Sequence, residues 1–177
     1  MRLFAAIAIL AAALAALLVL MGLRAQAHAD LEITVPKGAT IEGRNGKYGD
    51  YDIENISGSI EVNSDNAAVR LNNIGGDVRV DLRKSDVVRI INAKGNVDIK
   101  GRGQDIELEN ITGTAAVIGQ YSGEMKFRNL TKPFRFESQN TIIRMERIDG
   151  EVELMQGHLN ARRVAGPIQI TSKSKDV

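Results

Sequence analysis

Apolar and polar residues alternate along this chain in short paired runs that recur at a fixed interval. IENISGSIEV spans Ile53–Val62, LNNIGGDVRV spans Leu71–Val80, and LENITGTAAV spans Leu108–Val117. In each, two arms of period-two alternation flank a small polar hinge with glycine at its centre, which reads as strand, tight corner, strand. The corner glycine stands at Gly58, Gly76, Gly95, Gly113, Gly150 and Gly166, with Lys132 in its place at the fifth corner, in steps of 18, 19, 18, 19, 18 and 16 residues. So regular a period predicts a solenoid, because one such coil can bury its faces only against a neighbour. A meandering sandwich of accidentally regular strands is the weaker alternative.

Seven and five residues before the corner, and two and four after it, the coils carry apolar side chains. These run from Tyr51, Ile53, Ile60 and Val62 in the first coil to Leu159, Ala161, Ile168 and Ile170 in the seventh. A one-residue slip would turn every one of them to water, so the pattern fixes register. The expected fold is all-β: a single-domain parallel β-solenoid of about seven 18-residue coils over residues 51–177, two strands per coil, behind an atypical cap at 30–50. Each strand should lie parallel to its equivalents at about 4.8 Å. The fifth coil, with Met125, Phe127, Phe134 and Phe136, is the bulkiest layer and should sit over the small Ala115.

The hinge has its own columns. Three residues before the corner stand Asn55, Asn73, Asn92, Asn110 and Asn129, giving way to Arg147 and Arg163. Their parity points inward, toward the bend, where stacked asparagines can bond one another and satisfy turn groups that no strand reaches; this predicts an asparagine ladder. The next column, beginning Ile56, Ile74 and Ala93, breaks the alternation as a chain rounding a corner should, and the glycines are expected to supply positive φ there. Asn55, Asn110 and Asn129 also head N-x-[ST] triplets, which the ladder and a polar turn residue explain without glycosylation.

The first 29 residues follow a different pattern. An uncharged run from Leu3 to Leu23 lies between Arg2 and Arg24, and Ala27-His28-Ala29 fits a small-x-small cleavage site. The run is long enough to span a bilayer as a helix, so residues 1–29 read either as a signal peptide cleaved after Ala29 or as a retained N-terminal membrane anchor. Both place the remainder outside the cytoplasm, in the periplasm or at the cell surface.

Without that segment the chain keeps 21 basic and 22 acidic residues, a balance that gives no basis for nucleic-acid binding. Export with no cysteine means that neither disulfides nor thiolate metals hold the fold. The outward columns carry charges of alternating sign, such as Asp52, Arg70, Arg89, Glu107 and Lys126, which are expected to pair between coils. A polysaccharide-acting β-helix enzyme would need clustered carboxylates on one face, whereas here the acids are dispersed among Arg and Lys. His158 has no Cys, His or Ser partner in sequence and reads as a solvated turn residue, and the segment Asn45–Asp52 reads as the turn into the first full coil rather than a metal loop. No catalytic residue, metal ligand or cofactor site is therefore assigned.

An exported leader followed by coils such as IELENITGTAAV and VRLNNIGGDVRV resembles the bacterial DUF4097 adhesin family, also called toastrack domains. The likeness covers about residues 30–177 and rests on the coil pattern, so no functional residue carries over. It implies a non-enzymatic domain on the outer side of the cytoplasmic membrane, adhesin-like or scaffolding, or alternatively an envelope-stress sensing module. Its partner would be an envelope protein or glycan, with membrane contact through the first segment if that is retained. The chain departs from the pattern at Arg147, Arg163 and Lys132-Pro133.

The tail SKSKDV lines up with LRKSDV, Leu82–Val87, which in the earlier copy opens a new coil. The seventh coil is therefore expected to end on an uncapped edge, through which the chain could self-associate, unless the tail simply frays.

Overall fold

The computed structural model describes residues 38–46, 49–139, 141–155 and 158–172; the expected N-terminal hydrophobic helix lies outside them. The described chain is all-β, thirteen strands in one continuous sheet. Two parallel faces grow coil by coil. One face consists of β2 (Tyr51–Glu54), β4 (Val69–Ile74), β6 (Val87–Ala93), β8 (Asp105–Ile111) and β10 (Met125–Leu130). The other consists of β1 (Ile41–Gly46), β3 (Ile60–Ser64), β5 (Val78–Leu82), β7 (Val97–Gly103), β9 (Ala115–Tyr121) and β11 (Phe134–Ser138). The pairing is in register with the repeat: Ile53 faces Leu71, Leu71 faces Ile90, and Ile90 faces Leu108. Between the faces lies one hydrophobic core in which Val62, Val80, Ile90, Ile99, Leu108, Val117 and Phe127 are fully buried.

β1 lies within the segment expected to be a cap. Ile41 pairs with Ile60, and the carbonyl of Ala39 lies against Gly58 as Gly58 lies against Gly76, so the stack begins half a coil earlier than the corner glycines alone indicate.

The solenoid has five parallel turns, not seven. After β11 only Gln139 and Asn140 intervene before β12 (Thr141–Met155), which runs backwards across the end of the fifth coil. Its first part pairs antiparallel with β11, setting Ile143 opposite Phe136 and Met145 opposite Phe134. Its second part pairs antiparallel with β10, setting Val152 opposite Phe127 and Leu154 opposite Met125. A hairpin then lays β13 (His158–Ser172) antiparallel along the whole of β12. The physical reason is symmetry. The inward set of a coil, two alternating apolar positions on each side of the corner, is nearly a palindrome, so a reversed strand buries the same side chains as a forward one. Connection length does not decide between the two directions, since Gln104 alone separates β7 from β8 and that coil still runs forward.

The asparagine column also differs from expectation. Asn55, Asn73, Asn92, Asn110 and Asn129 have φ of 50–61° and are exposed on the outside of the corner, not directed into the bend. The left-handed conformation rotates each side chain out and hands the inward position to the next residue, which is why Ile56, Ile74, Ala93, Ile111 and Leu130 are buried. Asparagine tolerates that conformation better than other non-glycine residues.

It follows that the corner glycines do not supply the positive φ: of that column only Gly166 has it, at 81°. Their role is close approach. A Cβ on Gly76 would stand 2.6 Å from the carbonyl carbon and oxygen of Gly58, and Gly95 and Gly113 are equally tight against the glycine of the coil before. Gly150 meets instead the backbone of Arg162 on β13, as the reversed path requires.

Candidate functional site: a glycine-floored groove and an open strand edge

Each face displays charges whose spacing is set by the stacked strands. On the β2–β10 face, Arg70 reaches back to Asp50 at 2.9 Å and Asp52 at 3.5 Å, and Arg89 reaches forward to Glu107 at 2.6 Å. Arg128 gathers Glu107 at 3.4 Å, Glu109 at 3.8 Å and, across the antiparallel seam, Glu151 at 2.7 Å. Hydrogen bonding from Arg128 holds the Glu151 carboxyl below its ordinary pKa, and hydrogen bonds from Arg70 and then the Ala68 amide do the same for Asp50. Within the strands of the other face the pairs are local, Lys100 with Asp98 and Arg135 with Glu137, and Arg83 pairs with Asp65 between coils just beyond them. The expected inter-coil pairs are thus more numerous on the first face than on the second.

Along the outer corner the asparagines form hydrogen bonds from coil to coil. Asn73 Nδ2 donates to Asn55 Oδ1 at 2.8 Å, Asn110 to Asn92 at 2.9 Å and Asn129 to Asn110 at 3.0 Å, while Asn92 donates to Asn72 at 3.2 Å. A second ladder runs beside it, one residue past the glycine. Ser59 Oγ accepts the Asp77 amide at 3.2 Å, Asp77 Oδ1 accepts the Asn96 amide at 2.8 Å, and Asn96 Oδ1 accepts the Thr114 amide at 3.0 Å. Pro133 occupies the next position and has no N–H to donate, so this ladder ends at the fifth corner.

Across the far ends of β5, β7 and β9 lies a groove of about 510 Å³ lined by Leu82, Arg83, Gly101, Arg102, Gly119 and Gln120. Leu82, Gly101 and Gly119 are register partners on β5, β7 and β9, and the two glycines leave bare backbone as the floor. Neither can bear a side chain: a Cβ on Gly101 would run into the carbonyl of Leu82, and one on Gly119 into that of Gly101. Arg83 stands on the rim with 79% of its side chain exposed and touches Asp65 at 3.5 Å; Arg102 and Gln120 are also exposed. The groove therefore offers two guanidinium groups, an amide and unshielded peptide, which suits an anionic or hydroxyl-rich chain lying across the coils. Sequence reading missed it. The signal was there, a glycine six residues past the corner in two successive coils.

The opposite kind of surface lies at β13. Among the described residues the exposed large apolar side chains are Met155 at the end of β12, 52% exposed, and Ile168 and Ile170 on β13, 46% and 50% exposed. Ile168 and Ile170, together with Ala161, were expected in the core of a seventh coil; they belong instead to the outermost strand, which nothing among the described residues covers.

His158 is exposed at the start of β13, opposite Met155. Asp50, in the segment set aside as a metal loop, is tied to coil two through Ala68 and Arg70. Among the described residues no three His, Asp or Glu gather as metal ligands, and no helix is long and apolar enough to cross a membrane. No family model matches the chain, and no curated protein or solved structure is significantly similar to it.

Proposed function

We propose that this chain is an exported, non-enzymatic, adhesin-like or scaffolding domain of the toastrack kind that binds an envelope partner, and that the glycine-floored groove takes an acidic glycan. What supports the reading most is the groove, where Arg83, Arg102 and Gln120 stand beside two glycines that can bear no side chain. A polysaccharide-cleaving site needs an acid whose pKa is raised so that it can donate a proton at neutral pH. On the ion-paired face the shifts run the other way, with Asp50 and Glu151 held ionised by Arg70 and Arg128. These two acids are therefore poorly suited to general-acid work. Arg83 and Arg102 on the groove rim provide the complementary charge for a uronate or sulfated sugar.

The reading is tested by titrating the chain with acidic and neutral polysaccharides while assaying new reducing ends. Retention of an acidic polymer that weakens with salt and is lost in Arg83→Ala/Arg102→Ala, with no new ends, is the expected result. Release of reducing ends that disappears when a single acid is replaced would overturn it.

A further inference from the structure

β13 pairs with β12 along one edge and, among the described residues, with no strand along the other. Its apolar residues lie on the core side: Ile170 opposite Ile143, Ile168 opposite Met145, Val164 opposite Ile148, Ala161 opposite Val152 and Leu159 opposite Leu154. The β12 members of that row are buried down to Val152, whereas on β13 Ile168 and Ile170 are about half exposed. An open edge fifteen residues long beside a row of wet apolar side chains is what soluble proteins ordinarily cover or blunt.

The two arms of the strand are self-complementary. Turned about a two-fold axis between Val164 and Ala165, the strand meets a second copy of itself antiparallel with Leu159 opposite Ile170 and Ala161 opposite Ile168, all on the core side. Only at the axis itself does core-side Val164 fall opposite Ala165, the partner of the outward Arg147. The bend is symmetric about the same point: the two positive-φ residues of β13, Arg163 at 53° and Gly166 at 81°, fall opposite one another, so corner meets corner. On the solvent side Asn160 falls opposite Gln169 and Arg162 opposite Pro167, leaving no like charges directly facing. Pro167 lacks a donor, yet it sits at the corner, where the β12–β13 ladder is interrupted as well. A one-residue slip would set Asn160 against Ile168 and turn the apolar rows apart. The same near-palindrome that lets β12 lie backwards on coil five, and β13 backwards on β12, thus serves once more between molecules.

We infer that β13 is a homodimerisation edge: two copies join β13 to β13 about that axis, so that two five-turn stacks form one end-to-end body with a continuous apolar interior. The interface is isologous and closes on itself, giving a dimer rather than a fibre.

The full chain, kept in a mild detergent, supplies the test, and its lack of native cysteine makes cross-linking specific. Directly opposed residues in an antiparallel pair have Cα atoms about 4.5–5.5 Å apart, within disulfide reach. Ala161→Cys mixed with Ile168→Cys should oxidise to a covalent dimer, and neither variant alone should do so, because each residue lies far along the strand from its own copy. The double variant Ile168→Lys/Ile170→Lys, at exposed positions that leave the fold intact, should weaken the dimer by roughly a hundredfold, as two charges forced into an apolar seam require. A monomer by light scattering at high concentration would overturn the inference. So would cross-linking of the single variants as strong as that of the mixture, or a dimer indifferent to the lysines.

Discussion

Phe127 and Phe134 meet across the interior of the fifth coil, one from each face, with ring centroids 4.4 Å apart and planes tilted by 47°. Phe136 adds a third ring 5.9 Å from Phe127 and approaches Tyr121 at 6.4 Å. The layer beneath makes room for them, since Phe134 pairs with Ala115 and Phe136 with Val117. This large-over-small contact lies directly under the reversed strand β12, so the aromatic cluster is the floor on which the change of direction is built. Removing a ring here leaves a void that coils on both sides are too regular to fill. Phe136→Ala, at a side chain 1% exposed, should lower stability by about 3–5 kcal/mol in denaturant unfolding. A loss below about 1 kcal/mol would mean that the coil collapses onto the gap.

The asparagine corner makes a two-part prediction. Asn110 contributes a left-handed backbone at φ 55° and hydrogen bonds to both Asn92 and Asn129. Asn110→Ala loses both and should cost about 1–3 kcal/mol, whereas Asn110→Gly keeps the backbone freedom and should recover roughly half. Equal losses for the two variants would assign the whole effect to the side-chain ladder.

At the glycine column the constraint is contact rather than conformation. A Cβ at position 95 would stand 2.6 Å from the Asp77 amide nitrogen and closer still to the backbone of Gly76, so two coils would have to part. Gly95→Ala should therefore cost more than about 3 kcal/mol, while Lys94→Ala, at the exposed neighbouring position, should stay within about 0.5 kcal/mol. Circular dichroism melts of the two variants check the contrast.

Much of this architecture was legible in the chain because period two and period eighteen are both consequences of geometry. Leu71, Ile90 and Leu108 occupy equivalent positions in the repeat, and the structure pairs them as register partners. What could not be read was direction. Ile143 and Leu154 are both inward in either sense of β12, so the apolar pattern is silent on which of them meets Met125, and the reversal appears only in the pairing of Leu154 with it. The asparagine column was found, but its side was assigned by strand parity, and parity lapses at a left-handed residue such as Asn92. The groove was overlooked because Gly101 and Gly119 stand near the ends of β7 and β9, at a position where leucine or serine stands in other coils and no repeating residue draws the eye.

The last prediction concerns acid. Arg128 on β10 holds Glu151 of the reversed strand at 2.7 Å and reaches Glu107 on β8, so one guanidinium ties the parallel stack to its antiparallel end. The Glu151 carboxyl is held below its ordinary pKa chiefly by the Arg128 hydrogen bond, and Asp50 at the other end of the same face is lowered chiefly by Arg70. A carboxylate with a depressed folded pKa contributes stability above its unfolded pKa and loses it as pH falls through the folded value. Stability should thus decline below about pH 4, where unfolded carboxyls begin to take up protons ahead of the folded ones. Arg128→Met keeps the aliphatic stem over the strands and removes the charge, so its decline between about pH 4 and pH 2.5 should be shallower than that of the parent, and Arg70→Met should act independently because the two pairs share no partner. Denaturant midpoints measured across that range decide the matter: parallel pH curves for parent and Arg128→Met would show that the guanidinium does not link β12 to the stack, whereas a shallower curve for each single variant and an additive one for the pair would place the acid sensitivity of the fold on these two arginines.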